Sequence, residues 1–359
     1  MPAEWEPHAA TWIAWPHNRT DWPGRFEPIP WIYVEIVRHL ARVERTNILV
    51  NDEASELRAR QLLILSDVLP AKADRPGSAA GNVVFHHIRT NRGWTRDCGP
   101  IFLRRSRRGL DGLPALAATS WRFNGWAKYK DFRLDAPVSQ EIARRASVPV
   151  WQPTLTVNGK HHRVVLEGGS VEVNGRGTMV TTEECLLSQV QQRNPGVTRE
   201  QLEQVFADYL GVTKVIWLGR GIAGDDTHGH VDDITRFVGP RTVLTAYEPD
   251  HSDANHQPLR ENYLRLLKST DQSGKLLRVV QLPMPAPVWF RSQRLPASYA
   301  NFYVANKLVL VPVFSDANDS VALNVLAKVF PGRSIVPIYC RDFIWGLGAV
   351  HCMTQQQPK

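Results

Sequence analysis

Two short segments hold the densest reactive chemistry. GAVHCMTQQQ, residues 348–357, sets His351 beside Cys352, after small residues and ahead of a polar tail. GDDTHGHVDD, residues 224–233, spaces Asp226, His228, His230 and Asp232 at alternate positions. Alternate residues of an extended chain share a face, so these four side chains are expected to point one way. Two chemistries suit that face. His-x-His-x-Asp matches a metal-ligand run, with His228, His230 and Asp232 as donors. A histidine tuned by carboxylates also serves acid–base catalysis. The plain alternative is a polar turn capping the next strand. Cys352 is open to three readings: packing residue, metal ligand or nucleophile.

Two further segments add carboxylates. WTRDCGP, 94–100, carries Asp97 beside Arg96 and Cys98. Asp97 reads either as a site carboxylate or as half of a surface ion pair with Arg96. Cys98 is a rival thiol, expected on the opposite face if the segment is extended. VVLEGGS, 164–170, puts Glu167 after an apolar run and before two glycines that permit a sharp turn or close backbone approach. A hairpin with an exposed glutamate is the alternative there. Carboxylates gathered around a thiol would repel an anionic substrate. They suit a cation, above all a planar guanidinium, whose N–H fork matches carboxylates bidentately. GLGAVH lacks the third glycine of a dinucleotide fingerprint, and neither a phosphate-binding P-loop nor a G-x-S-x-G elbow occurs.

The elements that must position these groups alternate along the chain. Strand-like runs are expected at 11–16, 82–88, 100–103, 170–173, 177–182, 214–218, 234–238, 242–247, 301–306 and 308–314. Helical patterns fall at about 30–44, 55–68, 138–146, 198–210, 256–269 and 319–329. In TREQLEQVFADYLG, Thr198 can cap a helix whose apolar face is Leu202, Val205, Phe206, Tyr209 and Leu210, and Gly211 can end it. Polar segments (TRDCGP, LEGGS, HGHVDD, SYANFY and GAVHC) recur between these elements. Their loose spacing suggests several similar α/β units contributing loops to one centre.

Composition narrows the class. The chain has 359 residues, 43% hydrophobic and 22% charged, enough for a folded core. Its net charge of +8 is scattered, and the densest basic run, RRSRRG at 104–109, reads as a solvated loop. Without an aromatic–basic stripe or reader motif, no nucleic-acid partner is expected. The N-terminal residues lack the pattern of a signal peptide and the apolar runs are too short to span a bilayer, so a cytoplasmic protein without a membrane partner is expected. The four cysteines form no C-x-x-C pair and are expected as free thiols.

Taken in order, the segments MPAEWEPHAATWIAWP, RDCGPIF, FNGWAKY, LEGGSVEVNGRGTMVTTEECLL, RNP, DDTHGHVDD, SYANFYVAN, VPVF and HCMTQQQP resemble the agmatine deiminases, in the wider family that includes bacterial peptidyl-arginine deiminase. The resemblance runs almost end to end. It implies an α/β pentein fold, a five-bladed α/β propeller with pseudo-fivefold symmetry, as one catalytic domain over residues 1–359. It also implies hydrolysis of a guanidino group to a ureido group and ammonia, without metal or cofactor, on a small cationic substrate, with a place in putrescine and polyamine biosynthesis. Position by position, Cys352 matches the nucleophile, His230 the catalytic histidine, Asp97 and Asp232 the carboxylates that grip the guanidinium, and Glu167 a carboxylate supporting the histidine. Trp94, Asn301 and Asp226 match positions near the substrate. His351, next to the nucleophile, is expected to point away from it and to be structural. Oligomeric state is left open.

The chain departs from the family pattern at His228, where an Asp is usual, and at Leu347 and Ala349, where a Gly and an Asn are usual. Trp345 stands beside the nucleophile segment. These changes bear on the far end of the substrate. Rival readings are a metal-dependent hydrolase using His228, His230 and Asp232, and a guanidino-ligand binder without turnover.

Overall fold

The computed structural model describes residues 1–71, 81–105, 115–157 and 159–359. Among the described residues, five sheets repeat one strand plan. A first strand pairs antiparallel with a second, a helix crosses over, and the next strand returns parallel. In the last repeat the strands are Tyr303–Val304, Leu308–Val313 and Ser334–Tyr339, with the helix Asp319–Val329 between the latter two. The same plan holds for Ile101–Arg104, Leu116–Thr119 and Val150–Trp151, for Glu172–Val173, Thr178–Thr182 and Lys214–Leu218, and for Thr235–Gly239, Thr242–Tyr247 and Arg278–Pro283. The remaining sheet joins the two ends of the chain. C-terminal Thr354–Pro358 runs antiparallel to His8–Ala14, which is followed through helix Ile29–Leu40 by Arg45–Val50 and then Val83–His87.

All six expected helices form, within a few residues of their expected limits. Helix Arg199–Leu210 shows why. Thr198 and Gln201 form a reciprocal capping box, Leu202, Val205, Phe206 and Leu210 are buried, and Gly211 closes it in the left-handed region at φ 69°. The cap satisfies otherwise orphaned N–H groups, and only glycine takes that closing conformation without steric cost.

The tail TQQQP, read from sequence as polar, is a mostly buried strand. Two of its three amides are paired: Trp12 Nε1 donates to Gln357 Oε1 at 2.9 Å and Arg96 Nη1 to Gln356 Oε1 at 2.7 Å, while Gln355 Oε1 has no partner among the described residues. Buried polar side chains are tolerated when so satisfied. Composition alone cannot anticipate such partners. The basic run at 106–109 lies outside the described residues. Among the described residues no helix is long and apolar enough to cross a membrane.

The repeat also places the polar segments. Asp97, Glu167, Asp232, Asn301 and Cys352 each sit just ahead of the first, short strand of a repeat. Short helical turns carry the first three: Thr95–Cys98 holds Asp97, Gly168–Ser170 follows Glu167, and Val231–Asp233 holds Asp232.

Candidate active site

Cys352 lies on a turn, not on a strand. The turn is held from the next repeat by Asn301. Its Oδ1 accepts from the backbone N–H of His351 at 2.9 Å and of Cys352 at 3.3 Å. Its Nδ2 donates to Cys352 Sγ at 3.0 Å and to Asp233 Oδ1 at 2.9 Å. Asn301, matched to a position near the substrate, is therefore fully buried behind the thiol as its clamp. The sulfur in turn faces Asp232 Oδ2 at 3.7 Å. Burial, with Asp232, Asp233 and Asp97 nearby, pushes the Cys352 thiol well above its ordinary range.

Asp97 is fixed from two sides. Trp126 Nε1 donates to its Oδ2 at 2.9 Å and the Gly169 N–H to its Oδ1 at 3.0 Å. Burial raises its pKa to about 6, His230 pulling it down and Asp232 and Glu167 pushing it up. Arg96 is not its surface partner: the guanidinium is buried and turned to Glu4 and Gln356. Cys98, the rival thiol, is also buried, donates to the Trp94 carbonyl at 3.4 Å, and is raised well above its usual range by burial and nearby carboxylates. It is a packed residue.

His230 is wholly buried, with Nδ1 3.8 Å from Asp97 Oδ1 and Nε2 3.6 Å from Glu167 Oε2. Neither ring nitrogen has a hydrogen-bond partner among the described residues, and neither has Asp232 Oδ1. Burial would lower the imidazole pKa, but Asp97, Cys185 and Glu167 raise it well above the usual value. Glu167 is anchored by Arg193, whose Nε lies 3.1 and 3.4 Å from the two carboxylate oxygens. Burial opposes its ionisation, yet Arg193 and His230 hold it at about 2. Gly169 lies where these groups converge. A Cβ there would stand 2.5 Å from His230 Nδ1, 2.9 Å from Asp97 Oδ1 and 3.1 Å from Asp232 Oδ2.

A narrow cleft of about 30 Å³ reaches this centre, lined by Arg92, Trp94, Asp97, Trp126, Tyr129, Asp226, Thr227, Leu347 and Cys352. Larger hollows lie near Met1 and Tyr209, away from the thiol. Trp94 is backed by Trp22 and Phe343, at centroid distances of 5.6 and 5.9 Å. It packs so closely on the Cys352 turn that a Cβ at Gly348 would fall 2.9 Å from its ring. At the outer end, Asp226 Oδ2 accepts from Tyr129 Oη at 2.5 Å and Oδ1 pairs with Lys128.

Several expectations are corrected. Residues 224–233 are not extended. Asp225 folds them into a turn by accepting from the N–H groups of Thr227, Gly229 and His230 at 2.8, 2.7 and 3.1 Å, as short acidic side chains do in turns. Asp226, His228, His230 and Asp232 therefore do not share a face. His228 takes φ 64° and turns its ring to Ser188 Oγ at 3.2 Å. The proposed metal triad is not assembled. The two donor groupings compact enough for an ion, among the described residues, are Glu167 with Cys185 and His230, and Asp232 and Asp233 with Cys352. His351 sits on a turn and not on a strand, and its ring lies off the cleft as expected, between two carboxylates. Its Nδ1 lies 2.6 Å from Asp232 Oδ2 and its Nε2 2.7 Å from Glu4 Oε2.

Other residues of the centre had no assigned role from sequence: Trp126, Arg193, Asp233 and Glu4; Gly169 was expected only to permit a turn or close backbone approach. All of them lie within the quoted segments, but which atom each touches depends on contacts across repeats. Among the departures, Leu347 keeps a left-handed φ of 66° and lines the cleft, Ala349 is buried, and Trp345 stacks on Phe290 at 3.7 Å.

Comparisons with known proteins bear on this arrangement. Residues 1–358 match the model of the Porphyromonas-type peptidyl-arginine deiminases. An agmatine deiminase of Medicago truncatula is 34% identical over 386 residues, covering 100% of this chain and 96% of that protein. A structure of the Enterococcus faecalis agmatine deiminase aligns with a TM-score of 0.86 at 31% identity, covering 100% of this chain and 95% of that one. A cysteine-to-serine variant of the C. jejuni agmatine deiminase, solved with substrate bound, aligns at 0.83 and 26% identity, covering 100% and 96%. The α/β fold is the pentein fold of these proteins.

Proposed function

The chain belongs to the Porphyromonas-type peptidyl-arginine deiminase family, and we propose that it is a cysteine-dependent iminohydrolase that converts agmatine and water to N-carbamoylputrescine and ammonia. One observation carries the residue assignment. Asp97, His230 and Asp232 meet around the missing side chain of Gly169, and the Cys352 thiol faces the same Asp232.

In this reading Asp97 and Asp232 hold the guanidinium by charge-assisted hydrogen bonds and set its carbon against sulfur. The thiol, held protonated by its carboxylate neighbours, loses its proton to water in the cleft as the cation neutralises them, and that proton leaves with the product ammonia as ammonium. Sulfur bonds to the guanidinium carbon. His230, kept charged by Asp97 and Glu167, gives its proton to one nitrogen, the C–N bond breaks and ammonia leaves. A covalent thiouronium remains on Cys352. Neutral His230 then takes a proton from water, hydroxide adds to the same carbon, and the C–S bond breaks to give the ureido product and regenerate the thiol. Trp94 walls the cleft, and Asp226 faces the far end of the substrate. No step calls for a metal or a cofactor. We assign one catalytic unit to residues 1–359, supported by the sheet that joins the chain's two ends. A cytoplasmic setting in polyamine synthesis suits its four free cysteines.

A second reading keeps the chemistry and changes the far end. Lys128 already occupies Asp226, which favours a guanidino compound that brings no cation of its own there, such as a guanidino acid or peptidyl arginine. Ammonia release from agmatine, 4-guanidinobutyrate, arginine and a blocked arginine peptide separates the two. Turnover of agmatine in preference to the others supports the first; a preference for an anionic or neutral far end supports the second; silence throughout contradicts both.

A further inference from the structure

Behind Asp232 lies a buried chain of ionisable groups that the proposed reaction does not use. Asp232 Oδ2 is 2.6 Å from His351 Nδ1, and the other ring nitrogen is 2.7 Å from Glu4 Oε2. Glu4 is itself tied down. Its Oε1 accepts from Arg236 Nη2 and from the Val304 N–H, both at 2.9 Å, and its Oε2 from Arg96 Nη2 at 3.2 Å. His351, Glu4, Arg96 and Arg236 are all buried. Carboxylates and an imidazole withdrawn from water are costly to bury, and packing alone is served better by apolar groups. The arrangement has one consequence at the site. With Oδ2 committed to His351, Oδ1 is the Asp232 oxygen left without a partner.

We propose that His351 and Glu4 are positioning residues: His351 stops the Asp232 carboxylate from rotating and leaves Oδ1 for the substrate cation, and Glu4 fixes His351. The proposal rests on the reading of this site as a guanidinium site. The chain's first residues thereby become part of the support for its last reactive segment.

Two amides of opposite reach test it. An asparagine amide can stand in for the Nδ1 donor and keep the bond to Asp232, whereas a glutamine amide stands in for Nε2 and keeps only the bond to Glu4. His351→Asn, His351→Gln and Glu4→Gln are compared with wild type in kcat and KM for agmatine. The same proteins are alkylated at Cys352 with chloroacetamidine, a cation, and with the neutral, similarly sized chloroacetamide. Wild type is expected to favour the cation. His351→Gln is expected to raise KM by about 10- to 100-fold, as the loss of a charged hydrogen bond does, and to lose the cation preference. His351→Asn should retain most of both, and Glu4→Gln should fall between. Equal behaviour of the Asn and Gln variants, or a folded Gln variant with wild-type KM and preference, overturns the relay. Absence of cation preference in wild type itself overturns the guanidinium reading on which the relay rests.

Discussion

The sulfur of Cys352 lies 3.7 Å from Asp232 Oδ2 and accepts a hydrogen bond from Asn301 Nδ2 at 3.0 Å. In the proposed mechanism the nucleophile is thus stored beside the carboxylates that receive the substrate cation. They oppose thiolate formation until a cation enters, and burial adds to that effect. In the free protein, alkylation of Cys352 by neutral iodoacetamide should be slower near pH 7 than that of an exposed cysteine, and should still rise with pH above about 8.5, the ordinary thiol value. A rate that levels off below pH 7 would show a thiolate already formed.

Asp97 should set an acid limb. Burial raises its pKa to about 6, so it loses its charge, and its grip on a cation, as pH falls through that value. The expected kcat/KM for agmatine declines below about pH 6. Asp97→Asn should cost at least about 100-fold at neutral pH, the scale of losing a charged contact together with orientation. A flat kcat/KM from pH 8 to pH 5 would contradict the assignment.

Glu167 links the site to stability. Its pKa is held at about 2 against a usual 4.5, with Arg193 the leading favourable partner. For a depressed acid, the stabilisation is present above the unfolded pKa and is lost as pH falls through the folded one. Here that window runs from about pH 4.5 to 2, with a contribution on the order of 3 kcal/mol at neutral pH. Glu167→Gln should lower Tm at pH 7 and flatten the acid unfolding curve in this window. An unchanged Tm in thermal unfolding would refute the pairing's role.

Gly169→Ala should fold and fail to turn over. The added Cβ would press on His230 Nδ1, Asp97 Oδ1 and Asp232 Oδ2, and a misplacement of that size costs about 100-fold. Circular dichroism and kcat report the two halves. Near wild-type kcat would place the reacting centre elsewhere.

Lys128→Met should free Asp226 for an incoming ammonium. KM for agmatine should fall a few-fold and KM for 4-guanidinobutyrate should rise, since a surface ion pair is worth about 1 kcal/mol or less. Equal shifts for both substrates would remove Asp226 from the specificity argument.

Much of this could be read from residue order, and the limits are physical. Helix Arg199–Leu210 carries its own cap, face and stop, and the sequence reading of 198–210 matches it closely. Strands Lys214–Leu218 and Thr242–Tyr247 are apolar enough to be read with their limits. Thr354–Pro358 is invisible to the same argument because two of its glutamines, Gln357 and Gln356, are matched by Trp12 and Arg96 from distant positions. Motif matching singled out Cys352, His230, Asp97 and Glu167; Asp97 and Cys352 line the cleft, and His230 and Glu167 lie buried behind Asp97. The orientation argument at 224–233 failed because Asp225 caps a turn there, with His228 and Gly229 at positive φ. His351 lies off the cleft as expected, but on a turn where strand alternation does not apply, so its contact with Asp232 has no local signal. Side-chain partners across repeats, such as Arg193 on Glu167 and Trp126 on Asp97, have no local signal.

The most direct measurement is an acid quench of the protein during turnover of agmatine, followed by mass analysis of the peptide that contains Cys352. The expected result is a mass increase equal to agmatine less ammonia on Cys352, chased by water to N-carbamoylputrescine, with neither adduct nor ammonia release in Cys352→Ala. Ammonia release that persists in Cys352→Ala, or an adduct on another cysteine, would contradict Cys352 as the nucleophile.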